Sequence, residues 1–455
     1  MINDTIAAIA TPLGAGGIGI IRISGDDAEK ILGEIFFPAS EKSYPRMMKY
    51  GHVKNDEGEI IDEVLAVFMR APHTYTAEDV AEIYCHGSIV ALKKILALIL
   101  TKGARLAERG EFTKRAFLNG RLDLSQAEAV MDLIDAKSEK AYDFAMDQLE
   151  GGLSGKLSEI RAGLTDVLVE MAVNIDYPDE DIEELTYEKL EKMLQEVRGK
   201  LDILRKSADT GKIVREGIGI TIAGRPNVGK SSLMNKILGE SRAIVTDIAG
   251  TTRDTIEEQA SIRGITVRLT DTAGIRGTSD VIEKIGIEKS RQAIDEADII
   301  IFVLDSGEDI TPEDEEIIGY IGNRKVMVLL NKSDLTSKIT ESDISGRFGN
   351  ARIIKTNMLT GEGLSAIGDE IERMVFGEEV QQSDRTSVTN TRHIALIESA
   401  FASIEHAIEA LEMKEPLDII EIDVKDAYDE IGEITGETAT DDIINEVFSR
   451  FCLGK

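Results

Sequence analysis

Eight consecutive residues, Gly224-Arg-Pro-Asn-Val-Gly-Lys-Ser231, have the types and spacing of a phosphate-binding loop. Glycines let backbone N–H groups converge on phosphate oxygens, and the start of a following helix adds its positive end. In this pattern Lys230 reaches the β- and γ-phosphates, and the Ser231 hydroxyl meets a magnesium ion. Asn227, Val228, Gly229 and Ser232 complete the phosphate-facing stretch. A chance glycine-rich turn is the bland alternative, and the flanking elements argue against it. Ile218-Gly-Ile-Thr-Ile-Ala223 reads as a buried strand, and Ser232-Leu-Met-Asn-Lys-Ile-Leu238 has the apolar spacing of a helix face. The chain is expected to bind a nucleoside triphosphate.

Downstream segments extend that site. Asp271, Thr272, Ala273 and Gly274 end the apolar run Ile265-Thr-Val-Arg-Leu-Thr270. A carboxylate at a strand end can hold magnesium through water, and the glycine N–H can approach the γ-phosphate. Asn331, Lys332, Ser333 and Asp334 follow a second buried strand, Val326-Met-Val-Leu-Leu330. The Asp334 carboxylate can accept from guanine's ring N–H and exocyclic amine, whereas adenine would leave it unpaired. Gly250-Thr-Thr-Arg-Asp254 occupies the place of a switch segment, with Thr252 the expected second hydroxyl ligand of magnesium. Residues 213–380 therefore resemble the translation-factor-related GTPases. The guanine-supporting loop departs from that pattern: Thr356-Asn-Met-Leu359 stands where a Ser-Ala pair is usual, in a contact normally made by backbone.

Ile275 follows the Asp-x-x-Gly segment where Ras-like enzymes carry a water-orienting glutamine. Isoleucine can neither accept nor donate, so hydrolysis must draw on other groups. Arg253 and Arg276 could neutralise transition-state charge, and Glu283 could orient water as a base. For each, a solvated charge on a loop is the plainer alternative.

The elements that must position these groups are spread over 455 residues, a length that suggests about three domains at roughly 150 residues each. Lysine and arginine number 52 against 84 acidic residues, a net charge of −32 that disfavours non-specific adhesion to nucleic acid or anionic membrane. Cys85 and Cys452 are the sole cysteines, which excludes a disulfide framework and fits a reducing compartment. No run approaches the ~20 apolar residues of a membrane span, and no secretory signal is evident. A cytoplasmic location is expected.

Residues 18–24, 63–69 and 79–84 alternate with the period of strands, and residues 89–100 read as a helix. Gly14-Ala-Gly-Gly-Ile-Gly19 matches a dinucleotide fingerprint, but a strand follows the glycines where that site needs a helix. Ser125-Gln-Ala-Glu128 has the form of a capping box, with helical periodicity running on to about Val173. The acidic stretch 176–184 reads as a solvated connection to a second helix ending near Lys206. Residues 388–412 and 438–451 are amphipathic helices. These patterns predict an N-terminal α+β domain (1–120), a split helical domain (121–212 and 381–455) and an inserted, doubly wound P-loop GTPase domain (213–380).

Three polar clusters lie outside the GTPase segment: Gly110 to Asp123, Glu82 leading into Cys85-His-Gly87, and the terminal Phe451-Cys-Leu-Gly-Lys455. With the GTPase motifs they make the whole chain resemble the MnmE (TrmE) family of tRNA modification GTPases. The resemblance implies a folate-binding-like N-terminal domain that dimerises, so a homodimer. It implies action at carbon 5 of the tRNA wobble uridine, building a carboxymethylaminomethyl group with 5-formyl- or methylene-tetrahydrofolate as one-carbon donor. The implied partners are tRNA and the flavoprotein MnmG, in a heterotetramer. The family's folate contacts fall on Arg22, Glu82, Arg121 and Lys455, and its reactive thiol on Cys452. Family members often carry lysine where this chain has Arg121, so a cation is kept but proton chemistry by that side chain is not. The family's potassium ion would be held through Asn227 and by Thr246, Asp247, Ile248, Ala249, Gly250 and Thr251, with Thr246, Ile248 and Thr251 as ligands. Such a cation, completed when two GTPase domains meet, answers the absence of glutamine at Ile275. Glu283 matches the family's water-orienting acid, so Glu283, Lys230 and Cys452 form the expected catalytic set.

A contrasting reading is a ribosome-assembly-type, RNA-associated GTPase switch without modification chemistry. Such proteins usually carry a basic appendage, whereas the domains flanking this GTPase are acidic. A membrane-acting mechanochemical GTPase is disfavoured by the net charge and by the lack of a basic amphipathic helix.

Overall fold

In a computed structural model, residues 4–40, 46–176, 183–240, 257–271, 291–349, 351–377 and 388–455 are described. The chain opens with β1 (Ile6–Ile9), β2 (Gly16–Ser24), α1 (Ala28–Ile35), β3 (Phe36–Pro38), β4 (Lys49–Lys54), β5 (Ile60–Met69) and β6 (Val80–Gly87). α2 (Ile89–Thr101), β7 (Arg105–Leu106) and α3 (Glu111–Leu118) follow. The strands form one sheet in the order β3-β4-β5-β6-β2-β1-β7, antiparallel except for the β1–β7 pair. Period-two alternation sends Ile21, Ile23, Ala81 and Ile83 into a core with Ile31 of α1 and Ile95 of α2. Ile6, Ala8 and Phe112 form a smaller cluster of their own. The expected strands are present, and β2 already begins within the glycines, at Gly16, where a dinucleotide site would need a helix to follow.

The helical run after Leu124 divides into α4 (Leu124–Asp135), α5 (Glu139–Leu149) and α6 (Gly152–Asp176), rather than continuing unbroken. Ser138 and Gly151 mark the interruptions: the Ser138 hydroxyl accepts from Ala141 N, and Gly151 has φ +94. The capping box also lies two residues earlier than the sequence pattern suggests. Asp123 Oδ1 accepts from Gln126 N at 2.8 Å, and Gln126 Oε1 accepts from Asp123 N at 3.0 Å. Aspartate and glutamine perform the same reciprocal exchange as serine and glutamate, so the nearer pair wins. α7 (Glu183–Glu216) runs ten residues past the expected end near Lys206.

β8 (Ile218–Ala223), α8 (Lys230–Glu240), β9 (Glu257–Ile262), β10 (Ile265–Asp271) and β11 (Ile299–Asp305) begin a second sheet. It continues through α9 (Pro312–Ile321), β12 (Val326–Asn331), α10 (Glu341–Phe348), β13 (Arg352–Lys355) and α11 (Leu364–Phe376). Its order is β13-β12-β11-β8-β10-β9, with only the β9–β10 pair antiparallel. Ile301, Val303 and Leu329 face one core, while Phe302, Leu304 and Val328 face another. Helices on both faces explain why β11 and β12 are continuously apolar and not alternating.

α12 (Thr391–Glu412), α13 (Leu417–Thr435) and α14 (Asp441–Ser449) complete the chain. Chain segments interleave into two compact units: 1–131, 148–190 and 410–455 form one, and 132–147 with 191–409 the other. Within the first, α13 packs on α6, and Arg161 lies 4.1 Å from the Tyr428 ring centre. Among the described residues no helix is long and apolar enough to cross a membrane. The fold is multidomain, mixed α/β with a large helical share.

Candidate functional site

The phosphate loop occupies the point where the second sheet's strand order turns back on itself. β8 is flanked by β10 on one side and β11 on the other, which opens a crevice at their carboxyl ends. Gly229, at φ +110, admits no side chain: a Cβ would lie 2.1 Å from the Asn331 amide nitrogen. That approach is used, because Asn331 Nδ2 donates to Val228 O at 2.8 Å. Asn227 also holds a positive φ of 66°, a conformation asparagine tolerates, with its side chain exposed. Lys230 is buried, and its ammonium donates to Gly224 O at 2.5 Å and Arg225 O at 2.8 Å. Ser231 and Ser232 lie exposed in the first turn of α8, and a helix N-terminus carries positive partial charge that favours an anion.

Arg225, which the sequence reading passed over, forms ion pairs with Glu308 and Asp314. Asp314 is buried and also caps α9, exchanging bonds with Thr311. The loop's second residue is thus tied to the segment after β11. Asp271 pairs with Ile222 in the strand register, which places its backbone beside the end of β8. Residues 246–252, 272–276 and 283 lie outside the described residues. The magnesium and potassium expectations on Thr246, Ile248, Thr251 and Thr252, and the hydrolytic expectation on Glu283, belong to those segments.

The groups expected to read the base come from two loops. Asn331 Oδ1 accepts from Met358 N at 3.2 Å, so one asparagine joins the phosphate loop to the segment after β13. Lys332 stands at φ +62 and its Nζ reaches Asp305 Oδ2 at 2.5 Å. Asp334 is exposed, and its Oδ1 accepts from Asn357 Nδ2 at 3.0 Å.

A second polar site lies on the N-terminal sheet. Arg22 of β2 and Glu82 of β6 are direct cross-strand partners, with Arg22 Nε donating to Glu82 Oε1 at 2.8 Å. The Tyr84 hydroxyl donates to Glu82 Oε2 at 2.7 Å; burial and then this bond push the phenol up to about 12. Arg22 and Arg121 each lie 4.9 Å from the Tyr75 ring centre, and Arg121 donates to Tyr75 O. The end of the chain reaches this place. Leu453 bridges to Arg109, and Gly454 passes so close to β1 that a Cβ would lie 2.2 Å from Ile9 O. Lys455 is half-buried within electrostatic reach of Arg22, Glu82 and Cys452; burial first, then Arg22, holds its ammonium below the ordinary value. Arg22 Nη1 is buried without a hydrogen-bond partner among the described residues. Arg22 is thus ion-paired through Nε and still has one buried donor that could meet an acceptor oxygen.

The two thiols differ sharply. Cys85 is buried, its Sγ donates to Gly19 O, and burial pushes it up to about 11. Cys452 is exposed, next to the tail residues that meet the sheet. A buried thiol is inert, so of the two only Cys452 is accessible for chemistry.

A doubly wound sheet, a Gly-x-x-x-x-Gly-Lys-Ser loop at its switch point and the Asn-Lys-x-Asp segment at the end of β12 define a P-loop GTPase. Residues 5–121 match the family model of the GTP-binding protein TrmE N-terminus, and residues 124–452 match that of the MnmE helical domain. The chain belongs to the MnmE family of tRNA modification GTPases. It is 48% identical over 459 residues to the tRNA modification GTPase MnmE of Alkaliphilus metalliredigens, covering all of both chains. With the same-named protein of Clostridioides difficile it shares 50% over 458 residues, again across both whole chains. Among solved structures, an Era variant of Aquifex aeolicus bound to GDP.AlF4- is 28% identical over 41% of this chain and 66% of that one, at a TM-score of 0.28.

Proposed function

We propose that this GTPase drives formation of the carboxymethylaminomethyl group at carbon 5 of the tRNA wobble uridine, using a tetrahydrofolate one-carbon donor. The observation that carries this reading is the tail: Lys455 reaches a site whose other members, Arg22 and Glu82, lie more than 370 residues earlier. A mere nucleotide switch has no need of such a site.

The residues fit a reduced folate. A pterin ring's N–H edge could donate to Glu82, with its carbonyl or N5-formyl oxygen accepting from the orphaned Arg22 Nη1 and the Lys455 ammonium. Arg121, held over Tyr75, adds a third cation. Bound there, 5-formyl- or methylene-tetrahydrofolate supplies the one-carbon unit, and Cys452 is the accessible thiol beside it. In the GTPase, Lys230 would exchange its two loop carbonyls for phosphate oxygens, and Ser231 would offer its hydroxyl to magnesium. The exposed Asn227 suits an oxygen ligand for potassium, joined by Thr246, Ile248 and Thr251. Thr252 would be the second magnesium hydroxyl and Glu283 the water-orienting acid. We read the chain as a cytoplasmic homodimer acting on tRNA with the flavoprotein MnmG, with domains at 1–120, 121–212, 213–380 and 381–455.

Nucleoside analysis of tRNA after deletion of the chain tests the reading. Loss of the carbon-5-modified wobble uridine is expected. Normal wobble nucleosides would favour the ribosome-assembly-type switch instead.

A further inference from the structure

Asp334 is an exposed carboxylate on the loop that follows β12. An exposed side chain samples several rotamers unless a neighbour holds it, and guanine needs both carboxylate oxygens presented along one edge. We propose that Asn357 is the positioning residue for guanine selectivity: its side-chain amide fixes the Asp334 carboxylate against the base. This rests on Asp334 being the group that reads guanine.

The geometry supplies what such a role requires. Asn357 is only 6% exposed. Its Oδ1 accepts from Leu359 N at 2.9 Å and Thr360 N at 3.4 Å, which leaves Nδ2 facing Asp334 at 3.0 Å. The amide orientation is therefore set by two backbone donors and not by the carboxylate alone. Its backbone is pinned as well: Asn357 N donates to Glu362 O, and its own carbonyl accepts from Gly361 N at 2.8 Å. The adjoining Met358 N and Thr356 Oγ1 both donate to Asn331 Oδ1, and Asn331 in turn holds the phosphate loop through Val228 O. A continuous set of hydrogen bonds thus runs from the phosphate loop to the carboxylate.

The chemistry of the donor matters too. A carboxylate oxygen has two lone pairs, so Oδ1 can accept from Asn357 and from the base together. A neutral amide leaves the full negative charge on Asp334 for the base, whereas a lysine or arginine at 357 would neutralise it. The plainer alternative is that Asn357 merely closes the turn by accepting from Leu359 and Thr360.

Aspartate at 357 separates these roles, because it keeps the turn acceptor, removes the donor and sets a second negative charge beside Asp334. GDP and IDP differ only in guanine's exocyclic amine, so their affinity ratio reads the Asp334 contact itself. For the full-length protein, titration should show GDP bound about 10–100-fold tighter than IDP. In Asn357→Asp the ratio should fall to within about 3-fold, with GDP losing more affinity than IDP because both bases keep the ring N–H and only guanine has the amine. Asn357→Ser, which keeps a donor, should retain a larger ratio than aspartate. If aspartate prevents folding, Asn357→Ala carries the same comparison and should show the same fall. A protein with no preference for GDP would overturn the Asp334 assignment and this proposal with it. A normal preference that survives in Asn357→Asp, or an equal loss of both nucleotides, would overturn the positioning role alone.

Discussion

The nucleotide site and the tail site on the N-terminal sheet are assembled by opposite means. The first is built from short contiguous segments, each at the carboxyl end of a parallel strand, so local sequence already carries most of its geometry. Gly229 and Asn331 show this: their mutual approach follows from two motifs at two strand ends. The second needs β2, β6, the loop carrying Tyr75 and the last residues of the chain to arrive at one place. No spacing rule encodes that meeting. It depends on Gly454 passing against Ile9 and on Leu453 bridging to Arg109. A site made of strand ends tolerates drift elsewhere in the chain; a site closed by a terminus does not.

Substitutions that strike one site and spare the other test this contrast, and the largest effect belongs to the phosphate loop. Lys230→Ala should lower the GTP hydrolysis rate by about 10²–10³-fold or more, because a preorganised cation facing developing phosphate charge is lost. Binding of 5-formyltetrahydrofolate, followed by calorimetry, should change less than about 2-fold. Asn227→Ala comes next. Hydrolysis should run faster in potassium than in sodium for the unaltered chain, and the variant should erase that difference; equal rates in the unaltered chain would remove the potassium proposal.

On the other side of the comparison, Arg22→Ala should weaken folate binding by about 10–100-fold, the range for a buried charge-assisted bond. Its basal GTP hydrolysis should be unchanged. Gly454→Ala should act more mildly, through position alone. Alanine at φ +91 and 2.2 Å from Ile9 O forces the tail to shift, at about 1–3 kcal/mol. A stability loss of that size in denaturant titrations, with weaker folate binding, would show that tail placement matters.

The smallest effect is a pH dependence. Burial and Arg22 hold Lys455 below its ordinary 10.5, so the folded chain sheds this proton more readily than the unfolded one. Stability should therefore rise as pH climbs from the depressed value toward 10.5, while folate affinity falls over the same interval. Lys455→Met should flatten both profiles.

β2, β5, β6, β8, β10 and β12 were readable because they obey simple periods, alternation where one face is solvated and apolar runs where both are covered, whereas the short strands and β11 were not singled out. What escaped the sequence has equally physical reasons. Helix α13 was missed since Ile420-Glu-Ile-Asp-Val424 alternates locally like a strand, although its buried set Ile420, Val424, Ala427, Ile431 and Ile434 follows the helical period. Asn357 was read only as part of a loop lacking the Ser-Ala pair, and its side-chain contact was missed because the partner is 23 residues away on another loop. Arg225 was hidden inside a motif whose variable positions carry no rule, yet it anchors the loop to Glu308 and Asp314. The tail site became legible only through family resemblance, since Arg22, Glu82 and Lys455 share no local pattern.

On the proposed function, one chain joins a GTPase to a separate tRNA-modifying site whose accessible thiol is Cys452. Nucleoside analysis of tRNA from cells carrying only Cys452→Ser, with GTP hydrolysis measured on the same purified variant, tests that most directly. The expected result is loss of the carbon-5-modified wobble uridine with hydrolysis within about 2-fold of the unaltered chain, as follows if the two sites do different chemistry. Normal wobble uridine modification in those cells would contradict it.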